Sequence, residues 1–174
     1  MYEHTDIVTK QPELPYRCPL ELHANYTRDE ILAALGNWTL SAAPECREGV
    51  KFLPELRTDI FMITLNKAEK QYSPTTMYLD YAISDELFHW QSQSTTSVES
   101  PTGQRYLNHR KTGNTILLFV RENKSSTGQS TPYCFLGPAE YVCHNGSRPI
   151  NIKWKLKYKM PARLCRMTER MATA

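Results

Sequence analysis

Ten consecutive residues, Ile150-Asn151-Ile152-Lys153-Trp154-Lys155-Leu156-Lys157-Tyr158-Lys159, alternate with a period of two. A helix would scatter such a pattern around its circumference. A strand sorts it, because successive side chains point to opposite faces. The reading is a strand over Ile150 to Tyr158 with Ile152, Trp154, Leu156 and Tyr158 on one face. Lys153, Lys155, Lys157 and Lys159 then stand in a row on the other. The preceding Asn145-Gly146 is a two-residue turn signal that feeds it.

The rest of the chain supports a sheet. Val50 to Leu53 reads as a short strand. Asp59 to Leu65 and Thr115 to Arg121 read as buried strands, apolar and partly β-branched. Tyr133 to Leu136 and Glu140 to His144 read as two short strands around Gly137-Pro138. Leu87 to Gln91 is a compact aromatic segment. Helix signals are few. Thr27-Arg28-Asp29-Glu30 is a capping box before Ile31, Leu32 and Leu35, with Gly36 as the stop. Gln104 to Lys111 suggests a helical turn, and Pro161 opens a C-terminal helix over 162–171. Asn66 to Thr76, Gln91 to Gln104 and Asn123 to Thr131 read as loops. Five to seven strands with few, peripheral helices predict a mostly β (α+β) domain, a curved sheet or small barrel. Residues 1–19, with Pro12, Pro15 and Pro19, read as a lead-in or linker tail, and 20–174 as one domain without internal repeats.

Of 174 residues, 21 are Lys or Arg and 18 are Asp or Glu. The first hundred hold 8 basic and 15 acidic residues, and the remainder hold 13 and 3. The balance therefore swings from −7 to +10 along the chain. Such asymmetry fits a basic surface for a polyanion, or two halves that neutralise each other when packed. The five cysteines are widely spaced, which fits reduced thiols in a cytoplasmic protein better than disulfides or a zinc finger. No apolar run approaches a membrane span, and the polar start, Met1-Tyr2-Glu3-His4, is no signal peptide.

Two constellations carry chemistry. The lysine row can follow a phosphate backbone, or it can protect an exposed strand edge from aggregation. Between Asn66 and Gln93 lie Tyr72, Tyr78, Tyr81, His89 and Trp90, with Asp80, Gln91 and Gln93 between them. Aromatic rings can sandwich a base, and a carboxylate or amide can read its polar edge. An aspartate suits a cytosine amino group, which points to Asp80. The bland alternative is that several of these rings are core. Catalytic motifs are missing: there is no phosphate-cradling glycine loop, no HExxH and no GxSxG. Asp59 and Lys67 flank a strand as in some metal-dependent nucleases, but no ExK follows. No metal, cofactor or catalytic residue is expected.

Longer strings are familiar. They are Phe61 to Lys67 (FMITLNK), Tyr72 to Tyr81 (YSPTTMYLDY), Leu87 to Gln93 (LFHWQSQ), Leu118 to Glu122 (LFVRE) and Phe135 to Val142 (FLGPAEYV). Gly146 to Ile150 (GSRPI) then leads into the lysine strand. Over roughly residues 20–161 the chain resembles the uncharacterised C-terminal domain of bacterial fusions of a superfamily II helicase with a phospholipase-D-like nuclease. SauUSI-type modification-dependent (type IV) restriction enzymes have that architecture. The resemblance implies an SRA-like or PUA-like fold that binds and does not cut. It implies a reader of 5-methylcytosine or 5-hydroxymethylcytosine in double-stranded DNA, by base flipping, in a defence system with helicase and nuclease partners. Within the matched segments, physical inference assigns the modified-base pocket to Tyr72, Tyr78, Asp80, Tyr81, His89, Trp90, Gln91 and Gln93. Lys67, Lys70, Arg121 and Arg148 join Lys153, Lys155, Lys157 and Lys159 as backbone contacts. Two rivals stand beside this reading. One is a metal-dependent nuclease using Asp59, Asp80 or Glu86. The other is a protein-interaction domain that couples a helicase to a partner.

Overall fold

Two parallel strands, Thr58–Asn66 and Thr115–Asn123, form the centre of the computed structural model, which describes residues 10–38, 46, 49–66, 80–126 and 128–166. Both are apolar on both faces, the composition expected of strands covered on each side. In chain order the elements are β1 (Asn25–Tyr26), α1 (Arg28–Ala34), β2 (Val50–Leu53), β3 (Thr58–Asn66), β4 (Tyr81–Ala82) and β5 (Leu87–Gln91). There follow α2 (Pro101–Leu107), α3 (His109–Thr112), β6 (Thr115–Asn123), β7 (Ser125–Ser126), β8 (Gln129–Ser130), β9 (Tyr133–Asn145) and β10 (Asn151–Leu156). The main sheet runs β2-β3-β6-β9-β10-β5-β4, with β1 on β9, and β7-β8 form a separate hairpin. Only β3 and β6 pair in parallel among the described strands.

The sheet rolls up. Three strands separate β3 from β5, so in a flat sheet their residues would lie about 19 Å apart at the usual strand spacing. Yet the Phe61 ring on β3 stacks on Trp90 of β5 at 4.2 Å between centroids. The concave side holds one core, built from Phe61, Ile116, Leu118, Phe88, Trp90, Ile152, Trp154 and Tyr106. The opposite faces of β3 and β6 carry a second core, with Ile60, Met62, Leu117 and Phe119 against Ile31 and Leu32 of α1. This open, curved, mostly β sheet is the expected fold class.

Local chemistry explains the elements. The capping box is formed: Thr27 Oγ1 accepts from the Glu30 amide, and Glu30 accepts from the Thr27 amide at 2.7 Å. The two short strands expected around Gly137-Pro138 are one strand, β9. Leu136 is an extra residue opposite β6, since Gly137 faces Leu118 while Phe135 faces Phe119. Such a bulge tolerates both residues: Gly137 takes a φ of 84°, and proline is admitted where the ladder is interrupted. The loop expected up to Gln104 also ends early. Ser100 caps α2, accepting from the Gly103 amide at 3.0 Å, and Pro101 occupies its first turn. Residues 10–19 form no helix or strand, but they are packed: Cys18 is buried with α1 and Tyr16 is hydrogen-bonded to Thr58. Residues 162–166 are helical, and the remainder of the expected C-terminal helix lies outside the described residues. Among the described residues no helix is long and apolar enough to cross a membrane.

Candidate nucleic-acid interface

The register of β10 decides which predicted residues meet. Its core face carries Ile152, Trp154 and Leu156, all buried, and its outer face carries Asn151, Lys153 and Lys155. On β5, Phe88 and Trp90 point to the core while Leu87, His89 and Gln91 point outward. Antiparallel pairing sets Gln91 opposite Asn151, His89 opposite Lys153, and Leu87 opposite Lys155. Tyr81 of β4 lies beyond His89, and the two rings stack at 4.8 Å with 16° between planes. Gln91 Nε2 donates to Asn151 Oδ1 at 3.0 Å. On the other side, Cys143 of β9 faces Lys153, and Asn145 faces Asn151.

One outer face therefore unites Tyr81, His89 and Gln91 with Lys153 and Lys155. Both lysines are exposed, and neither forms an ion pair among the described residues. Arg148, exposed on the turn between β9 and β10, stands at the Asn151 end. Asn151, which the sequence reading did not assign to a site, completes this face. Its parity with Lys153 was the available signal.

Other assignments are corrected. Trp90 is not part of a surface pocket: it is 5% exposed, stacked on Phe61 and edge-on to Tyr106. Its parity along β5 places it with Phe88. Asp80 is buried and its Oδ1 accepts from the Gln91 amide at 2.9 Å, so it pins the end of β5. Gln93 lies past the strand and accepts from Thr96 Oγ1 at 3.2 Å. The row of four lysines is shortened to two. The strand ends at Leu156, Lys157 pairs with Glu13 at 3.0 Å, and Lys159 pairs with Asp85 at 3.2 Å and Glu86 at 3.6 Å. Those acids raise the pKa of both lysines and neutralise them locally. Arg121 is buried among neutral acceptors, away from any outer row. Tyr72, Tyr78, Lys67 and Lys70 lie outside the described residues.

The carboxylates of the nuclease alternative have structural partners. Asp59, 1% exposed, is gripped by Arg105, with Nε–Oδ2 at 2.8 Å and Nη2–Oδ1 at 2.9 Å. Burial pushes the Asp59 pKa up against the pull of Arg105. The guanidinium also covers the Phe52 ring at 4.0 Å. Among the described residues no three His, Cys, Asp or Glu side chains are grouped to hold a metal.

The architecture is thus a curved mixed sheet whose convex outer face combines lysines, stacked rings and amides. A family model described as a domain of unknown function, DUF3427, matches residues 20–167, and the chain belongs to that family. No curated protein matches the chain.

Proposed function

We propose that this domain binds duplex DNA and recognises 5-methylcytosine or 5-hydroxymethylcytosine as the targeting module of a modification-dependent restriction system. The carrying observation is the outer face, where Lys153 and Lys155, which form no ion pair among the described residues, adjoin the Tyr81–His89 stack and the Gln91–Asn151 amide pair. The resemblance to the C-terminal domain of helicase–nuclease fusions supplies the finer reading. Phosphates lie along Lys153, Lys155 and Arg148, where binding releases condensed counterions. An extruded cytosine docks near Tyr81 and His89, and the Gln91 amide reads its polar edge. Flipping costs a few kcal/mol, which ring stacking of about 1–3 kcal/mol per base offsets. The methyl group adds only about 1 kcal/mol by burial. Discrimination therefore rests on how the base fits against Tyr81, His89 and Gln91.

The test is titration of the intact chain with three matched duplexes, carrying cytosine, 5-methylcytosine or 5-hydroxymethylcytosine, at several salt concentrations. The expected result is tighter binding to a modified duplex, with affinity falling steeply as salt rises. Equal affinity for all three would retain a DNA binder and sink the modified-base assignment. Absence of any duplex affinity would overturn the reading, and metal-dependent cleavage would favour a nuclease.

A further inference from the structure

Arg121 is a buried cation with no carboxylate paired to it among the described residues. It stands on β6 and is 9% exposed. Its Nε donates to Thr64 Oγ1 at 2.9 Å, and its Nη1 donates to Ser130 Oγ at 3.1 Å and to the Thr131 carbonyl at 2.9 Å. The guanidinium lies 4.2 Å from the centroid of the Tyr133 ring. Every one of these partners is neutral. Among the described residues no carboxylate forms an ion pair with Arg121, whereas Arg105, Arg110 and Arg28 each have one. Burial lowers the Arg121 pKa, with Tyr133 pulling the other way. An arginine nonetheless keeps its proton in a protein. The fold therefore holds a permanent positive charge out of water, an arrangement that proteins normally relieve by pairing.

A second observation lies at the same place. Thr131, whose carbonyl takes the Arg121 Nη1 bond, has a buried hydroxyl with no hydrogen-bond partner. Orphaned buried polar atoms are uncommon and call for a missing partner. One residue thus links a cation that lacks an ion-pair partner among the described residues to a hydroxyl that lacks a hydrogen bond there.

We infer that Arg121, Ser130 and Thr131 form an oxyanion site whose ligand is a phosphate group. A tetrahedral oxyanion offers separate oxygens to the guanidinium and to the hydroxyls, and it supplies the absent negative charge. The site is on β6, the end of β8 and the β8–β9 connection, and β6 lies two strands from β10 in the sheet, so it is distinct from the outer face. It holds whether or not that face binds DNA, because inorganic phosphate alone satisfies it.

The experiment follows the melting temperature of the intact chain in low-millimolar sodium phosphate, against sodium chloride of equal ionic strength and pH. Wild type, Arg121→Gln and Thr131→Val are compared. The wild-type melting temperature is expected to rise with phosphate and saturate, as ligand linkage requires. Both variants are expected to need at least tenfold more phosphate for the same rise. Thr131→Val is nearly isosteric, so it keeps the test decisive if Arg121→Gln does not fold. A second arm compares one oligonucleotide with a 5′-phosphate and with a 5′-hydroxyl. Saturable stabilisation by inorganic phosphate identifies a free-anion site. Stabilisation only by the 5′-phosphorylated strand identifies a nucleic-acid terminus, and either supports the inference. A linear rise shared by wild type and variants is the general exclusion effect of phosphate and overturns it, as does no rise in either arm.

Discussion

Neighbouring residues on β5 have opposite fates, because one residue step turns a side chain through the sheet. Phe88 and Trp90 are buried in the concave core, while His89 between them stacks on Tyr81 outside. Trp90→Ala is therefore expected to cost about 3–5 kcal/mol of stability, as large core truncations do. Urea denaturation measures it, and a loss below about 1 kcal/mol would place the ring at the surface. His89→Ala should leave the urea midpoint nearly unchanged. It should instead shrink the preference for modified duplex, by up to about 1–3 kcal/mol for a lost stacking partner. Arg105→Met strands the Asp59 carboxylate in the core, and breaking a buried pair in this way costs about 3–5 kcal/mol. A variant as stable as wild type would show that the pair adds nothing. At Gly103, a Cβ would sit 2.0 Å from the Ser97 carbonyl oxygen, so no side chain fits without moving backbone.

Among the elements, β10 sets the charge of the outer face. Its outer row begins as the alternation requires but keeps only Lys153 and Lys155 available, since residues 10–16 bring Glu13 onto Lys157 and the β4–β5 turn brings Asp85 and Glu86 onto Lys159. The double variant Lys153→Ala, Lys155→Ala is expected to weaken modified and unmodified duplexes alike. The slope of log affinity against log salt should flatten by about two phosphate contacts. The double variant Lys157→Ala, Lys159→Ala should change that slope much less. Equal effects of the two pairs would mean that the acids give way on binding. Glu13→Gln separates the cases, because it releases Lys157 without touching the strand. Exposed pairs of this kind add little to stability because solvent screens them, so the urea midpoint should be indifferent to it.

At the scale of the molecule, one buried histidine joins α3 to the sheet. His109 Nδ1 donates to the Asn114 carbonyl at 3.1 Å, and its Nε2 accepts from the Tyr141 amide at 3.0 Å. Only the neutral ring can do both. Burial lowers its pKa below the usual 6.5, with the Asn114 bond opposing and Arg110 and Glu140 acting from nearby in opposite senses. Above pH 6.5 the folded and unfolded forms are both neutral and this contribution is fully present. As the pH falls below 6.5 the unfolded chain takes up the proton first, so stability drops until the folded ring also titrates. His23, also depressed by burial, acts in the same direction. Denaturation midpoints from pH 8 to pH 5 should therefore fall in wild type, and fall less steeply in His109→Gln. Parallel pH profiles would show that His109 does not contribute to the pH dependence of stability.

The elements legible from the chain alone are those whose signals are local. The capping box before α1, the doubly buried strands β3 and β6 and the alternation of β10 each follow from spacing and side-chain type, and together they imply a curved, mostly β sheet. Continuity through Gly137-Pro138 was hidden, because both residues are turn formers unless a partner strand accepts them at a bulge. The helix start at Ser100-Pro101 was written in the sequence as a cap followed by proline, but the surrounding Ser, Thr and Gln read as loop. The composition of the outer face depends instead on long-range packing. Whether a residue of β5 is core or surface depends on which face the sheet curls around. That curl is set by contacts such as Phe61 on Trp90, between segments nearly thirty residues apart. Likewise, no local pattern tells Lys153 from Lys157. Glu13, more than a hundred residues earlier, makes the difference, because charge pairing acts through space and not along the chain.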